Sequence, residues 1–246
     1  MALIGTEEPL AVAAVEAIHT GNVGTLTRLL RENPELATAA LGTAGDDGMT
    51  RTLLHVATDW PGHFPNIRQT VAVLVEAGAD VNGRFIGPHT ETPLHWAASS
   101  DDVEALDALL DAGADIEAPG AVIEDGTPLS DAVAFAQWKA AHRLVERGAR
   151  TPLREAAALS LIDRVEVYCS EDPPLPADET TQALWYACHG AQQQVAEFLL
   201  ARGADLNWIS TWDELTPLDA ARREGADELV EWLVGRGAKS TSELGR

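Results

Sequence analysis

Cysteine and basic side chains are scarce in this 246-residue chain, and each shortage excludes a class of protein. Only Cys169 and Cys188 occur, and their spacing fits neither a zinc site nor a redox pair. The 17 basic residues face 39 acidic ones, for a formal net charge of -22. This balance argues against nucleic acids and anionic membranes as partners, since both require a basic surface. Either a cationic partner or a merely solvated acidic surface explains the charge.

Long apolar runs and familiar enzyme signatures are also missing. No apolar stretch is long enough to span a membrane, and the N-terminal segment lacks the basic flank of a signal peptide. We therefore expect a cytoplasmic protein. The sequence contains no P-loop, dinucleotide fingerprint, nucleophile elbow or zinc signature, so we expect no cofactor and no metal.

What the sequence does contain is an internal repeat. Apolar residues at helical spacing, such as Leu106, Leu109 and Leu110, are bracketed by two recurring signals. A helix pair of this size cannot bury its apolar face alone and must stack on copies of itself. The first signal, Gly-Ala, begins at Gly78, Gly113 and Gly148, each 35 residues after the last, and at Gly203 and Gly237, which are 34 apart. The second signal, Thr-Pro-Leu, begins at Thr92, Thr127, Thr151 and Thr216.

This period and these motifs resemble the ankyrin repeat family over nearly the whole chain. The resemblance implies an all-α solenoid of about seven helix-turn-helix repeats with short hairpin fingers, some of them irregular. We predict a single domain, 1–246, with repeats at about 9–42, 50–82, 89–118, 124–150, 151–170, 178–208 and 213–239. The family also implies a protein-binding role and favours a monomer. Scarce lysine with abundant arginine and alanine indicates a GC-rich bacterial genome.

Two irregularities interrupt the array. An insertion, Asp59–Asn66, separates the helices of the second repeat and carries Trp60, His63 and Phe64. Its two prolines and glycine predict a loop, which is either a functional rim or a bland insertion. Near the fifth repeat the finger is missing, because Gly148-Ala149-Arg150 runs straight into Thr151, and a proline-rich linker, 171–176, replaces the exit. The missing finger reflects either sequence drift or space for a ligand.

By the register of the family, the inner helices and fingers border a concave groove. Asp131 and Glu155 occupy matching positions of adjacent repeats, flanked by Trp96 and Tyr186. Aromatic faces beside carboxylates suit a cationic ligand. The predicted groove residues are Asp59, Trp60, His63, Trp96, Ser99, Asp131, Phe135, Glu155, Trp185, Tyr186, His189 and Trp212.

Two functions follow from this groove. In the first, the chain binds a protein partner, through a basic segment, by aromatic anchors and carboxylate steering. In the second, the groove binds a small molecule, and Asp131, Glu155 and His189 serve as acid/base residues if burial separates their pKa values. We leave the question of an enzyme open, leaning towards none, since both carboxylates could instead be solvated helix residues.

Histidines and finger tips complete the candidates. His55 and His95 match the family's Thr-Pro-Leu-His position, where the resemblance implies a structural hydrogen-bonding role. The finger tips are unusually apolar, as at Phe85, Val122 and Trp212. They predict either an exposed binding edge or tips that fold down and pack.

Overall fold

The computed structural model describes residues 2–42, 48–170, 172 and 175–245. The described residues form fourteen α-helices with very little strand, which confirms the predicted all-α repeat fold. The chain divides into two compact units, Met1–Ala149 and Arg150–Arg246. Their union in a single domain stays a prediction. No helix within the described ranges is both long and apolar enough to cross a membrane.

The first unit contains four helix pairs. The first helix of each pair is an inner helix, and these inner helices contact one another in sequence order. The second helix of each pair is an outer helix, and the outer helices do the same. The unit therefore buries its apolar side chains between stacked pairs, as the repeat pattern predicts. The helices are α1 (Pro9–His19), α2 (Val23–Glu32), α3 (Leu53–Thr58), α4 (Ile67–Glu76), α5 (Pro93–Ser99), α6 (Val103–Asp111), α7 (Pro128–Ala134) and α8 (Trp138–Glu146).

The second unit contains three helix pairs. The three inner helices again contact one another in sequence order, and the first outer helix contacts the second. Half of the predicted linker 171–176, namely residues 171, 173 and 174, lies outside the described residues. The helices are α9 (Leu153–Ala158), α10 (Ile162–Tyr168), α11 (Ala177–His189), α12 (Gln193–Leu200), α13 (Pro217–Arg223) and α14 (Asp227–Val234).

Three of the four Thr-Pro-Leu signals start an inner helix by a capping box, whereas α9 after Thr151 starts without one. At Thr92 the hydroxyl oxygen accepts from the backbone of the third helical residue, and the His95 ring returns a bond to the Thr92 backbone. The same arrangement joins Thr127 to Ser130 and Thr216 to Asp219. Each box satisfies backbone N–H groups that a helix start leaves without partners. The threonines therefore fix where the repeats begin.

A short ribbon connects the fingers of the first unit. Strand β1 (Leu3–Ile4) pairs in parallel with β2 (Ala40–Leu41). Leu41, the last residue of β2, also pairs with Arg51, and Thr50 pairs with Ile86. These bonds place Arg51 and the neighbouring Phe85 at the edge of one cavity, described below.

Ion pairs cover the outer helices of the first unit. Asp107 on α6 contacts Arg143 at 2.9 Å and Arg147 at 2.7 Å, both on α8, and Arg68 on α4 at 3.5 Å. Burial alone would raise the pKa of Asp107, but hydrogen bonds from Arg143 and Arg147 lower it below its ordinary value. Several acidic residues are thus used within the fold.

Candidate functional site

The Trp60 loop, residues 59–66, is held by the helix pair that follows it. The backbone N–H of His63 donates to the Oδ2 atom of Asp102 at 2.5 Å. The other oxygen, Oδ1, accepts from the backbone N–H of Ala105 at 3.0 Å and so caps α6. Since the Asp102 side chain is only 1% exposed, a single buried carboxylate fixes the loop and starts a helix.

Other contacts hold both ends of the Trp60 loop. At its start, Arg51 pairs with Asp59 at 2.5 Å. At its end, the Asn66 side-chain amide donates to the backbone carbonyl of Gly21 at 2.9 Å. Between them, the Phe64 ring stacks on His19 with centroids 4.4 Å apart. The loop is therefore fastened to the repeats on both sides of its own.

The exposed residues of this fastened loop include Trp60 and His63. Trp60 is 80% exposed, and the His63 side chain is 60% exposed. An indole left in water carries an unfavourable hydration free energy that burial against a partner would recover. Trp60 is therefore the most conspicuous apolar side chain on the first unit.

A cavity of about 310 Å³ lies at the other end of the Arg51–Asp59 pair, and Arg51 is part of its wall. Trp96 contributes a half-buried ring, packed 5.5 Å from Phe85 and 4.9 Å from the His55 ring between centroids. The cavity thus has mainly apolar walls with a few polar groups. Its lining residues are Thr6, Leu41, Gly42, Met49, Thr50, Arg51, Phe85 and Trp96.

Asp131 does not face an open groove, contrary to the expectation from register. Its side chain has no exposed surface, and Oδ1 accepts from the backbone N–H of Val122 at 3.1 Å in the preceding finger. Burial, together with the nearby charge of Glu91, raises the pKa of Asp131 to about 7. The second oxygen, Oδ2, has no hydrogen-bond partner, and neither does Oε2 of buried Glu91. The finger has folded down over this carboxylate.

The remaining predicted residues of the first unit have local roles. Ser99 donates from its hydroxyl to the His95 carbonyl at 2.8 Å, and Phe135, 44% exposed, follows the end of α7. The structural role expected for His55 and His95 is confirmed. Their Nε2 atoms lie 3.1 Å from the carbonyl of Glu91 and 3.4 Å from that of Gly126, respectively, in the next finger.

In the second unit, four predicted aromatic and histidine residues form one cluster. The Trp185 ring lies 5.3 Å from Tyr186, 5.3 Å from His189 and 5.1 Å from Trp212 between centroids. Trp185, Tyr186 and His189 are all buried. The Trp212 finger therefore packs onto α11, and it is not a fully exposed binding edge.

Charged groups lie against this cluster. Arg223 pairs with Asp213 at 2.8 Å and approaches the Nδ1 atom of His189 at 3.2 Å. Glu224 Oε1 lies 3.1 Å from the same Nδ1 atom. With Nδ1 unprotonated the ring accepts from Arg223, and with Nδ1 protonated it donates to Glu224. His189 is thus a buried hydrogen-bonding centre beneath a finger.

Comparison with known proteins identifies the repeats. A family model described as "Ankyrin repeats (3 copies)" matches 153–243, and one described as "Ankyrin repeat" matches 89–121. The chain belongs to the ankyrin repeat family. The structure is also similar to the human ASB11 ankyrin repeat domain, with a TM-score of 0.52 and 21% identity over 96% of this chain and 90% of that chain. That likeness concerns the fold alone.

Two curated ankyrin relatives are much longer than this chain. One is "Ankyrin repeat and KH domain-containing protein CBG24701" of Caenorhabditis briggsae, 31% identical over 186 residues, which are 72% of this chain and 7% of that protein. The other is Rabankyrin-5 of Mus musculus, 28% identical over 219 residues, 79% of this chain and 18% of that protein. The chain therefore spans a small part of either relative. The bacterial origin stays a prediction, since these relatives are eukaryotic.

Ankyrin repeats generally mediate protein–protein interaction, so the coarse function follows from the family. The predicted catalytic set does not follow from the family. Asp131 lies in the first unit, and buried Glu155 and His189 lie in the second. Their joint action stays a prediction. Within the described ranges, no three His, Cys, Asp or Glu side chains are grouped to hold a metal ion.

Sequence reasoning missed Asp102 and Arg51, which organise the site of the first unit, whereas it identified Phe85 only as part of an apolar finger tip. For Asp102 a signal was present, because an aspartate directly before the apolar run starting at Val103 is a helix N-cap. Its second bond, to the Trp60 loop, spans 39 residues and has no local signature.

Proposed function

We propose that this ankyrin repeat protein binds a basic segment of a protein partner through the Trp60 surface. By this name we mean the Trp60 loop together with the cavity beside Trp96. Of the groove predicted from the sequence, the proposed binding surface keeps only the part in the first unit. Cytoplasmic location and a monomeric state remain predictions that accompany it.

The observation that carries the proposal is an 80% exposed tryptophan on a loop fastened at both ends. Tryptophan is enriched among residues that dominate binding free energy. A loop already held in one conformation loses little entropy on binding, so more of the contact energy appears as affinity. Both features are typical of a recognition site.

The cavity supplies a receptor for a partner side chain. Its volume of about 310 Å³ exceeds one side chain, and the rings of Phe85 and Trp96 form apolar walls. A long basic side chain can lay its alkyl stem on such rings and direct its charge to solvent or to an aromatic face.

Charge supports a basic partner. With a net charge of -22 the protein attracts cationic segments and repels acidic ones during encounter. The attraction weakens as salt rises, because exposed charges are screened over about 8 Å at physiological ionic strength.

We do not extend the proposal to acid/base catalysis. Asp131 has no exposed surface, and its carboxylate is engaged by the finger backbone at Val122. A general base must lie within hydrogen-bond reach of the proton that it removes, which this burial prevents.

A displayed library of random peptides tests the proposal. The library is panned on the wild-type protein, and enriched peptides are synthesised for calorimetry against wild type and Trp60→Ala. We expect enriched peptides to carry net positive charge, and we expect Trp60→Ala to weaken binding at least about tenfold, as loss of an anchor does.

Trp232→Ala is the matched control, because Trp232 is a half-buried tryptophan on α14 in the second unit, under the Arg236 guanidinium. It should leave the affinity unchanged. Enrichment of acidic or neutral peptides, or equal affinity for wild type and Trp60→Ala, would contradict the proposal.

A further inference from the structure

A cavity of the second unit lies where the sequence lacks a finger, beside residues 150–152. Its volume is about 730 Å³, within the range of small-molecule sites. Residues 150–152, which connect directly to α9, form one wall, and one face of α10 forms the other. No finger of the described residues covers this space.

The cavity is basic in an acidic protein. Among the described residues, Arg150 and Arg164 line it, against one carboxylate, Asp163. The chain as a whole has more than two acidic residues for each basic one. The sign of charge in this cavity is thus opposite to that of the protein.

Arg164 is the residue that gives the cavity its chemistry. Its Nη1 atom donates to the Thr151 hydroxyl, an uncharged acceptor. No acidic side chain pairs with Arg164 anywhere in the described part of the chain. Elsewhere, Arg28 pairs with Glu32 at 3.2 Å and Arg51 with Asp59 at 2.5 Å. An exposed guanidinium retains a planar set of N–H donors that matches an oxyanion.

The rest of the cavity indicates an organic ligand. Val167 is 65% exposed, and Pro152 and the Tyr168 ring add further apolar wall. The Tyr168 hydroxyl donates to the Thr151 carbonyl at 3.3 Å, which orients that ring along the cavity. A ligand with an apolar body would cover these groups while its anionic end reaches Arg164.

We infer that this cavity binds a small organic carboxylate, held by Arg164. A carboxylate is planar and singly charged, so it accepts two parallel N–H bonds from a guanidinium. The inference is independent of the proposed function, which concerns the first unit.

Two-dimensional NMR of the arginine Nε–H groups tests the inference, with benzoate as the probe and benzamide as its neutral counterpart. We expect benzoate to shift the Arg164 resonance saturably at millimolar concentrations and benzamide to leave it unshifted. Arg164→Gln should weaken benzoate binding, followed on the Tyr168 ring, by roughly tenfold.

Arg31→Gln is the matched control, since Arg31 is an exposed arginine of α2 that lines a separate cavity of about 370 Å³ in the first unit. It should leave binding unchanged. If Arg164→Gln fails to fold, Asp163→Asn serves instead, and it should tighten benzoate binding several-fold by removing a repulsive charge.

Either of two results would overturn the inference: equal shifts with benzoate and benzamide, or unchanged binding in Arg164→Gln or in Asp163→Asn. Because every readout lies in the second unit, failure here leaves the peptide experiment on Trp60 unaffected.

Discussion

The backbone N–H of His63 lies 2.5 Å from the Asp102 carboxylate, in the next repeat along the chain. The same carboxylate caps α6 through the N–H of Ala105. One side chain therefore joins a solvent-facing loop to the folded core. The link explains how a loop with two prolines and a glycine keeps Trp60 in one place.

Asp102→Ala should destabilise the first unit by about 2–4 kcal/mol, because a helix cap and a buried bond to the loop are lost together. Asn22→Ala is the control, since Asn22 caps α2 through the Thr25 N–H at 3.0 Å and makes no comparable loop bond. It should cost about 1 kcal/mol. Urea unfolding measures both, and an equal cost would show that the His63 bond contributes nothing.

Stability should depend on pH through Asp131. Its folded-state pKa of about 7 lies above the unfolded value of 3.8, so the folded state holds the proton more tightly. This contribution to stability is complete below pH 3.8 and is lost as pH rises to 7. Relative to Asp131→Asn, the free energy of unfolding of wild type should therefore fall by up to a few kcal/mol across this range.

Calorimetric or urea unfolding of both proteins at several pH values measures the difference. Comparing wild type with Asp131→Asn cancels the titration of the other groups. Parallel pH profiles for the two proteins would contradict the raised pKa of Asp131.

His55 and His95 should stay neutral in mildly acidic solution. Burial is the main cause that lowers the pKa of each to about 4. Nδ1 of His55 accepts from the Thr52 backbone N–H, so the ring proton is on Nε2 and donates to the Glu91 carbonyl. NMR of the ring nitrogens at pH 5.5 should show this tautomer in both residues, whereas a free histidine, with a pKa of about 6.5, is mostly charged.

The pH dependence of stability that comes from His55 and His95 is opposite in direction to that from Asp131. A lowered pKa means that the unfolded state binds the proton more tightly, so the stability that His55 and His95 contribute is present above about pH 6.5 and is lost as pH falls to 4. Imidazolium signals from either residue at pH 5.5 would show that the rings are not buried as described.

Gly190 should tolerate no side chain. A Cβ at this position would overlap the backbone carbonyl of Ala158 on α9. Gly190→Ala should therefore cost about 1–3 kcal/mol by forcing α11 away from α9. Gly235→Ala is the control, because its Cβ would meet nothing nearer than 3.5 Å and its φ of -59° suits alanine. Thermal unfolding should find it neutral or slightly stabilising, and equal losses in the two variants would contradict the close packing.

Local signals predicted the helices well. Pro9–His19 and Val23–Glu32 are helical as the apolar spacing indicates, and Thr92 caps α5 as its position before Pro93 predicts. Each signal acts within one or two helical turns, so the sequence displays it directly. The loop at Asp59–Asn66 was equally readable from its prolines.

The site was only partly predictable. Register placed Trp185, Tyr186 and Trp212 in the predicted groove, and in the structure their rings pack together because the Trp212 finger folds down, which was one of two alternatives for the apolar tips. Asp131 was expected in an open groove, and the finger at Val122 covers it instead. Finger conformation depends on contacts between residues distant in sequence, and no periodic pattern encodes it.

The most direct test of the Trp60 surface is hydrogen–deuterium exchange of the protein with and without an enriched basic peptide. Bound peptide should slow exchange in residues 59–66 and in the cavity wall near Thr50 and Phe85, and it should leave α12 and α14 unchanged. Protection confined to the second unit, or none at a saturating peptide concentration, would contradict the account.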